Sequence, residues 1–230
     1  MPIDSSHAYA TGGIYRHIGS SMMMRIGREV LRRIDKIRAQ IVWSEFEKHC
    51  IMGKDCHLGP NAWCVNPGSP QAITLGDRVF CRGLLRCGTR GNGRIVIGDE
   101  VYVGDDSIIN AEEIVSIGSL TMIAHGVQIH DSTGHPTDPY LRELDWRIAM
   151  GEMKPPRPAV ETSPVKIGKR VWIGFNSVIM RGVTIGDNAT VAAGSVVVRD
   201  VPSNSIVAGN PAQLVKTFTV EEAQDTKPNK

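Results

Sequence analysis

The stretch IVIGDEVYVGDDSII, residues 95–109, places an aliphatic residue at every sixth position, at Ile97, Val103 and Ile109. Side chains alternate along a β-strand with period two, so a six-residue step returns each repeated residue to the same face. On an α-helix the same step would rotate the side chain by about 240°, onto a different face. The stretch therefore predicts short strands that bury one aliphatic side.

The same period extends over about residues 52–199. The repeated positions form six triplets: Met52, Leu58 and Cys64; Leu75, Cys81 and Cys87; Ile97, Val103 and Ile109; Ile117, Ile123 and Ile129; Ile167, Ile173 and Ile179; Ile185, Val191 and Val197. Three strands per turn build a triangular prism, so the triplets predict an all-β fold, a parallel β-helix of six stacked coils. Gly follows most repeated residues, and we expect it to supply the positive φ that a corner needs.

Composition excludes several classes of protein. A net charge of +2 does not favour a nucleic-acid partner. No apolar run of 18 residues and no secretory signal pattern occur, which predicts a cytoplasmic protein. The five cysteines include no CxxC pair, which argues against a disulfide framework or a zinc ribbon, so we expect them to be reduced and buried.

Residues 20–49 lack the repeat and predict an amphipathic helix. Their apolar residues are spaced three and four apart, and they are Met23, Ile26, Val30, Ile34, Ile37 and Ile41. The other face is mostly basic. We favour a helix that covers the N-terminal end of the prism; the alternative is weak peripheral association with the inner face of the membrane. The predicted domains are an N-terminal segment 1–50, a β-helix domain 51–216 and a polar tail 217–230.

The longest break in the repeat is an inserted loop, residues 131–166. Loops of this length in a compact domain are usually functional. Three histidines lie at or before it, His125, His130 and His135, and imidazole suits either metal binding or proton abstraction. The segment HGVQIH, residues 125–130, resembles the ligand strand of γ-class carbonic anhydrases. Residues 75–110 contain no histidine to complete such a site, so we expect no metal.

Three motifs occur in order: TGHP at 133–136, VWIG at 171–174 and AGNPA at 208–212. Together they resemble hexapeptide-repeat O-acetyltransferases of the maltose, galactoside and nodulation-factor group, over about residues 97–216. The resemblance implies a left-handed β-helix, a homotrimer with its site between two subunits, and acetyl-CoA as co-substrate.

Carried over by position, the resemblance implies that His135 is the general base acting on a sugar hydroxyl. It places five residues near coenzyme A: Ala124, Trp172, Ala193, Arg199 and Lys216. Two positions depart from the family pattern, Phe175 after VWIG and Gln213 after the GNPA turn. The other nitrogen of His135 needs an acceptor that fixes its tautomer, and either Asp131 or a backbone carbonyl could supply it.

The predicted function is acetyl-CoA-dependent O-acetylation of a sugar in polysaccharide or glycan biosynthesis, by direct transfer in a ternary complex. Three alternatives stay open from the sequence. They are an acetyltransferase for amines or antibiotics, a metal enzyme that uses His125 and His130, and a β-helix scaffold without catalysis.

Overall fold

The computed structural model describes residues 13–88, 90, 92–154 and 156–219, and side chains from residue 22 onward. The chain divides into two compact units, Met1–Gln40 and Ile41–Lys230. The first 12 residues of the N-terminal segment and residues 220–230 of the polar tail lie outside the described residues. No helix of the described part is long and apolar enough to cross a membrane.

Helix α1 spans Gly13–His49, seven residues longer at its N-terminus than predicted. The described side chains of residues 22–41 are exposed, including the whole predicted apolar stripe. In the second unit, Val42 and Phe46 of this helix are buried in the same core as the β-helix. Asn66 Nδ2 donates to the carbonyl oxygen of His49 at 2.8 Å, which ties the helix end to the first coil. The last turns of α1 are therefore part of the β-helix core.

The β-helix domain consists of short strands, three per coil. The first three coils contain β1 (Ile51–Met52), β2 (His57–Leu58), β3 (Trp63–Val65), β4 (Ile73–Leu75), β5 (Phe80–Cys81), β6 (Leu84–Cys87), β7 (Arg94–Ile97), β8 (Tyr102–Val103) and β9 (Ile108–Ala111). The next three contain β10 (Ile114–Ile117), β11 (Met122–Ile123), β12 (Gln128–His130), β13 (Val165–Ile167), β14 (Trp172–Ile173), β15 (Val178–Ile179), β16 (Thr184–Ile185), β17 (Thr190–Val191) and β18 (Val196–Val197). A 3-10 turn, Pro70–Ala72, precedes β4.

Each coil contributes one strand to each of three parallel sheets. The first sheet runs β1-β4-β7-β10-β13-β16, and the third runs β3-β6-β9-β12-β15-β18. The second runs β2-β5-β8-β11-β14-β17 and continues into β19 (Ser205–Gly209) and β20 (Ala212–Thr217). The predicted repeated residues face inward. In the third sheet the aligned inward positions, each at most 1% exposed, are Cys64, Leu85, Ile109, Ile129, Ile179 and Val197. The six predicted coils are confirmed. Their predicted register is wrong in the second coil, where Leu85, and not Cys87, aligns with Cys64 and Ile109.

The C-terminal end differs from the prediction. Strand β19 begins a partial seventh coil by pairing with β17, and β20 turns back to pair antiparallel with β19. This hairpin closes the edge of the second sheet, and because β20 ends at Thr217 it runs one residue beyond the predicted domain limit. All five cysteines are free and buried, as expected.

The role predicted for the repeat glycines is wrong. Gly118 does not adopt a positive φ; two residues later Leu120 does, at 63°, and the same holds at other corners. Gly118 is needed for space instead, because a Cβ there would lie 2.6 Å from the backbone carbonyl carbon of Gly168 in the next coil. The left-handed corner conformation is borne mostly by polar residues such as Asn176 and Asn188.

Inside the inserted loop lies a helix that the sequence analysis missed, α2, Pro139–Ala149. Asp138 caps it, since its carboxylate accepts hydrogen bonds from the backbone N–H groups of Tyr140 and Leu141, each at 2.9 Å. Pro139 occupies the first turn, where a missing N–H does no harm. The base of the loop is closed by an antiparallel bridge between Ser132 and Thr162.

We expect Gly118→Ala to lower the free energy of unfolding by about 1 to 3 kcal/mol, because backbone of the next coil cannot yield to the added methyl group. Urea titration followed by circular dichroism measures the change. Gly27→Ala is the matched control, since a Cβ there meets nothing within 4 Å. Equal stability of the Gly118→Ala variant and the wild type would contradict the packing argument.

Candidate active site

A polar cavity of about 420 Å³ lies where the inserted loop leaves the third sheet. The outer side chains of that sheet form one wall, and the TGHP segment and the chain after α2 form the other. The lining residues used below are Arg86, Arg90, Asn110, Glu112, His130, His135 and Arg157. The cavity thus brings the predicted general base together with residues of several coils.

His135 is held by a buried carboxylate. Its Nδ1 lies 2.7 Å from Oδ2 of Asp145, a residue of α2 that is fully buried. An ionised carboxylate only accepts hydrogen bonds, so Nδ1 carries the proton and Nε2 has a free lone pair. No residue of the described chain donates to Nε2. This arrangement leaves Nε2 as the nitrogen that can take a proton from a substrate.

Asp145 lies at the centre of an ion cluster. Arg90 Nη2 donates to both of its carboxylate oxygens, at 2.7 and 2.6 Å, and Arg157 Nε donates to Oδ1 at 2.7 Å. Burial alone would raise the pKa of Asp145, but hydrogen bonds from Arg90, His135 and Arg157 outweigh it and hold the pKa at about 2. The carboxylate is therefore ionised at neutral pH, as the tautomer of His135 requires.

Arg90 also fixes the segment that carries the base. It lies in the turn between β6 and β7, and its Nη1 donates to the carbonyl oxygen of Gly134 at 2.9 Å. One guanidinium thus holds Asp145 and the residue directly before His135. Behind it, Glu112 is buried; burial raises the pKa of Glu112, against the lowering effect of the Arg90 backbone N–H and charge.

The expected partnership of Asp131 with His135 is not found. The carboxylate of Asp131 is fully buried and accepts hydrogen bonds from the backbone N–H groups of Glu112 and Glu113, each at 2.8 Å. Burial raises the pKa of Asp131, although these backbone hydrogen bonds oppose the shift. Asp131 therefore stabilises the turn between β9 and β10. The carboxylate beside His135 is that of Asp145.

The two other histidines do not form a metal site. His125 is exposed at a corner and its ring stacks on Phe175, with centroids 5.3 Å apart. His130 lines the cavity, where burial lowers its pKa. Within the described residues no group of three or more His, Cys, Asp or Glu side chains could hold a metal ion. The metal-enzyme alternative therefore lacks a ligand set in that part of the chain.

Three of the residues predicted to bind coenzyme A lie along one corner of the prism. Ala124 and Ala193 follow strands β11 and β17 at the corner between the second and third sheets, and Gly174 lies between them. A Cβ on Gly174 would lie 2.5 Å from the backbone nitrogen of Ala193, so the two coils stack closely at this corner. Trp172 stands two residues earlier with 53% of its surface exposed.

The two predicted phosphate contacts lie apart from that corner. Arg199 follows β18, at the opposite end of that strand from Ala193, and Lys216 lies on the edge strand β20. Both are exposed, and neither side chain has a hydrogen bond or ion pair within the described residues. Phe175, which departs from the family pattern, packs on His125 and not in the core.

Sequence comparison gives relatives that this chain matches over most of their length. The putative lipopolysaccharide biosynthesis O-acetyl transferase WbbJ of Escherichia coli is 36% identical over 190 residues, which cover 80% of this chain and 88% of the relative. The galactoside O-acetyltransferase of Escherichia coli is 38% identical over 175 residues, 75% of this chain and 70% of the relative. This chain belongs to the hexapeptide-repeat acetyltransferase family.

Other comparisons agree with that membership. A family model described as hexapeptide repeat of succinyl-transferase matches residues 164–199 of this acetyltransferase. A putative acetyltransferase of Saccharomyces cerevisiae is 38% identical over 134 residues, 56% of this chain and 62% of the relative's length. An N-acyltransferase of Bacillus cereus, AntD, shares the fold with a TM-score of 0.60 at 20% identity, covering 79% of this chain and 92% of that one.

Sequence reasoning missed the residues that hold the base. Asp145, Arg90 and Arg157 belong to three separate segments, and nothing in their local sequence points to His135. One signal was available for α2 itself, because Asp138 followed by Pro139 is a common start of a helix. A helix over 139–149 would have brought an acidic residue into the loop as a candidate partner for the histidine.

The depressed pKa of Asp145 predicts acid sensitivity. Its folded-state pKa of about 2 lies below the ordinary value of 3.8, so its stabilising effect is complete above about pH 5 and is lost as the pH falls toward 2. We expect this carboxylate to contribute about 2 kcal/mol at pH 5 and about 1 kcal/mol at pH 3. The difference in unfolding free energy between wild type and Asp145→Asn, measured in urea, should shrink by about 1 kcal/mol over that range. Parallel pH profiles of the two proteins would contradict this.

Proposed function

We propose that this acetyltransferase transfers an acetyl group from acetyl-CoA to a sugar hydroxyl, with His135 as general base, by direct transfer in a ternary complex. The observation that carries the proposal is the hydrogen bond from His135 Nδ1 to the buried, ionised Asp145. That bond fixes the tautomer with a basic Nε2 in a polar cavity. The sugar class is supported by the names of the two Escherichia coli relatives, an O-acetyl transferase of lipopolysaccharide biosynthesis and a galactoside O-acetyltransferase.

In the proposed reaction, Nε2 of His135 accepts the hydroxyl proton while the oxygen attacks the thioester carbonyl carbon. Asp145 stabilises the imidazolium that results, and a backbone N–H of a coil corner stabilises the oxyanion. Collapse of the tetrahedral adduct breaks the C–S bond, and His135 returns its proton to the departing thiolate. The products are the acetyl ester of the sugar and free coenzyme A.

Acetyl-CoA is the proposed donor. The small residues Ala124 and Ala193 at the corner, beside the exposed Trp172, support a position for the pantetheine arm. Arg199 and Lys216 are exposed cations suited to its phosphates. A hexapeptide-repeat acetyltransferase of Vibrio cholerae, which shares this fold with a TM-score of 0.50 at 24% identity, was solved with acetyl coenzyme A.

We also propose that the active unit is a homotrimer with the site in the groove between two subunits. The cavity at His135 opens to the solvent between its two walls. Next to it, the outer face of the third sheet presents the partly exposed apolar side chains Trp63, Leu84 and Ile108. A neighbouring copy that covers this face would close the cavity.

Weak membrane association through α1 remains a prediction. What supports it is the exposed apolar stripe of residues 22–41 together with the basic residues of the same helix. That arrangement suits a surface of anionic lipid. It also suits a lipid-linked glycan acceptor.

Replacing the proposed base tests the mechanism. We expect His135→Ala to lower kcat for acetyl transfer by about 10²- to 10⁴-fold, because proton abstraction from the hydroxyl is lost. KM for acetyl-CoA should change little, since His135 is assigned to the hydroxyl and not to the donor. A thiol-release assay with a panel of sugar acceptors measures both constants.

His57→Ala is the control for that experiment. His57 is an exposed histidine on the first coil, outside the cavity, and its ring packs on Phe80. This variant should keep the wild-type kcat. Full activity of His135→Ala on the same acceptor would rule out the general-base role, whatever the identity of the sugar.

The donor site makes a separate prediction. We expect Trp172→Ala to raise KM for acetyl-CoA about tenfold, because contact with an exposed aromatic face of this kind contributes about 1.4 kcal/mol, and to leave kcat at saturation near the wild-type value. Tyr102→Ala is the matched control, since Tyr102 lies on the same outer row of the second sheet, two coils away. An unchanged KM in Trp172→Ala would remove Trp172 from the donor site.

A further inference from the structure

Arg86 is a cation in the wall of the cavity that the proposed mechanism does not use. It lies on β6 in the outer row of the third sheet, where the aligned neighbours are Val65, Asn110 and His130. His135, which belongs to the inserted loop, lines the same cavity. A group bound at Arg86 would therefore share the cavity with a hydroxyl bound at His135.

The guanidinium of Arg86 has no ion pair or hydrogen bond with the described residues. The other two arginines of the cavity each have an acidic partner, since Arg90 and Arg157 both bind Asp145 and Arg90 Nη1 also lies 3.9 Å from Glu112 Oε1. Among the acids, Glu112 is held beside Arg90, and Asp106 lines the outer groove next to Arg86 without forming an ion pair with it. Arg86 is thus the cation of this cavity whose charge is left for a ligand.

The neighbours of Arg86 suit an anion. Asn110 is half-buried and its side-chain amide has no hydrogen bond within the described residues, so it offers a second donor. His130 is neutral at pH 7, because burial lowers its pKa, and it brings no competing positive charge. A planar guanidinium beside an amide binds carboxylate or phosphate oxygens with two or more hydrogen bonds.

Resting on the proposed function, we propose that Arg86 and Asn110 form an acceptor subsite for an acidic sugar, one with a carboxylate or a phosphate on the unit that carries the reacting hydroxyl or on the next one. Arg86 is then the residue that determines specificity. The neutral part of the sugar lies against Val65.

The experiment compares three acceptors of one size: methyl glucuronide, glucose 1-phosphate and methyl glucoside. Wild type should show at least a tenfold higher kcat/KM for one of the acids than for the neutral sugar. In Arg86→Gln that preference should disappear through loss of activity on the acid alone. Which acid is preferred distinguishes a uronic acid from a sugar phosphate. Arg94→Gln, a variant at an exposed arginine of the first sheet, should keep the preference.

Binding measured without catalysis separates this proposal from the proposed function. In ligand-observed NMR with the full chain, the preferred acid should bind at least tenfold more weakly to Arg86→Gln than to wild type, while His135→Ala binds it normally. That binding result supports the subsite even if no sugar is acetylated. Absence of acetylation would contradict the proposed function but not the subsite. Equal binding of acid to wild type and Arg86→Gln, or an equal loss of activity on all three acceptors, would overturn the subsite.

Discussion

Close stacking of backbone on backbone at the corners is the constraint on which the structure depends. Each coil donates its N–H groups to the carbonyl groups of the next, so the spacing along the prism axis is set by hydrogen bonds and cannot widen locally. At Gly98 and Gly118 the next coil is so near that no Cβ fits. The interior is narrow and is filled by one or two inward apolar side chains per strand.

Ion pairs hold the inserted loop in place on the rigid coils. Asp145 is carried by α2, yet its carboxylate is buried against Arg90, which belongs to a turn between two coils. A buried carboxylate is strongly unfavourable unless donors surround it, and here two guanidinium groups and one imidazole do so. The same cluster that anchors the loop therefore fixes the orientation of His135. Stability of the loop and positioning of His135 cannot be separated at this site.

The β-helix coils do not by themselves determine which reaction is catalysed. The same fold carries O-acetyltransferases among the relatives and an N-acyltransferase among the solved structures, so the coils do not select the acceptor. On the proposed function, selection of the acceptor falls to side chains that project from the outer rows of the third sheet into the cavity. The strand register sets their positions, with one such residue per coil. A single substitution in an outer row therefore alters the charge of the cavity wall without disturbing the core.

The sequence by itself determined the prism, since a six-residue aliphatic period fits only extended strands, and each of the repeated positions from Cys64 to Val197 in the third sheet is buried as predicted. Short motifs also predicted roles for His135 and Trp172. The sequence could not assign Gly118 its role, because the neighbour that excludes a Cβ lies 50 residues away, across the insertion. Nor could it replace Asp131 by Asp145 as the partner of His135. That choice depends on how α2 folds back onto the coils, and only the tertiary structure brings Arg90, Asp145 and Arg157 within hydrogen-bonding distance.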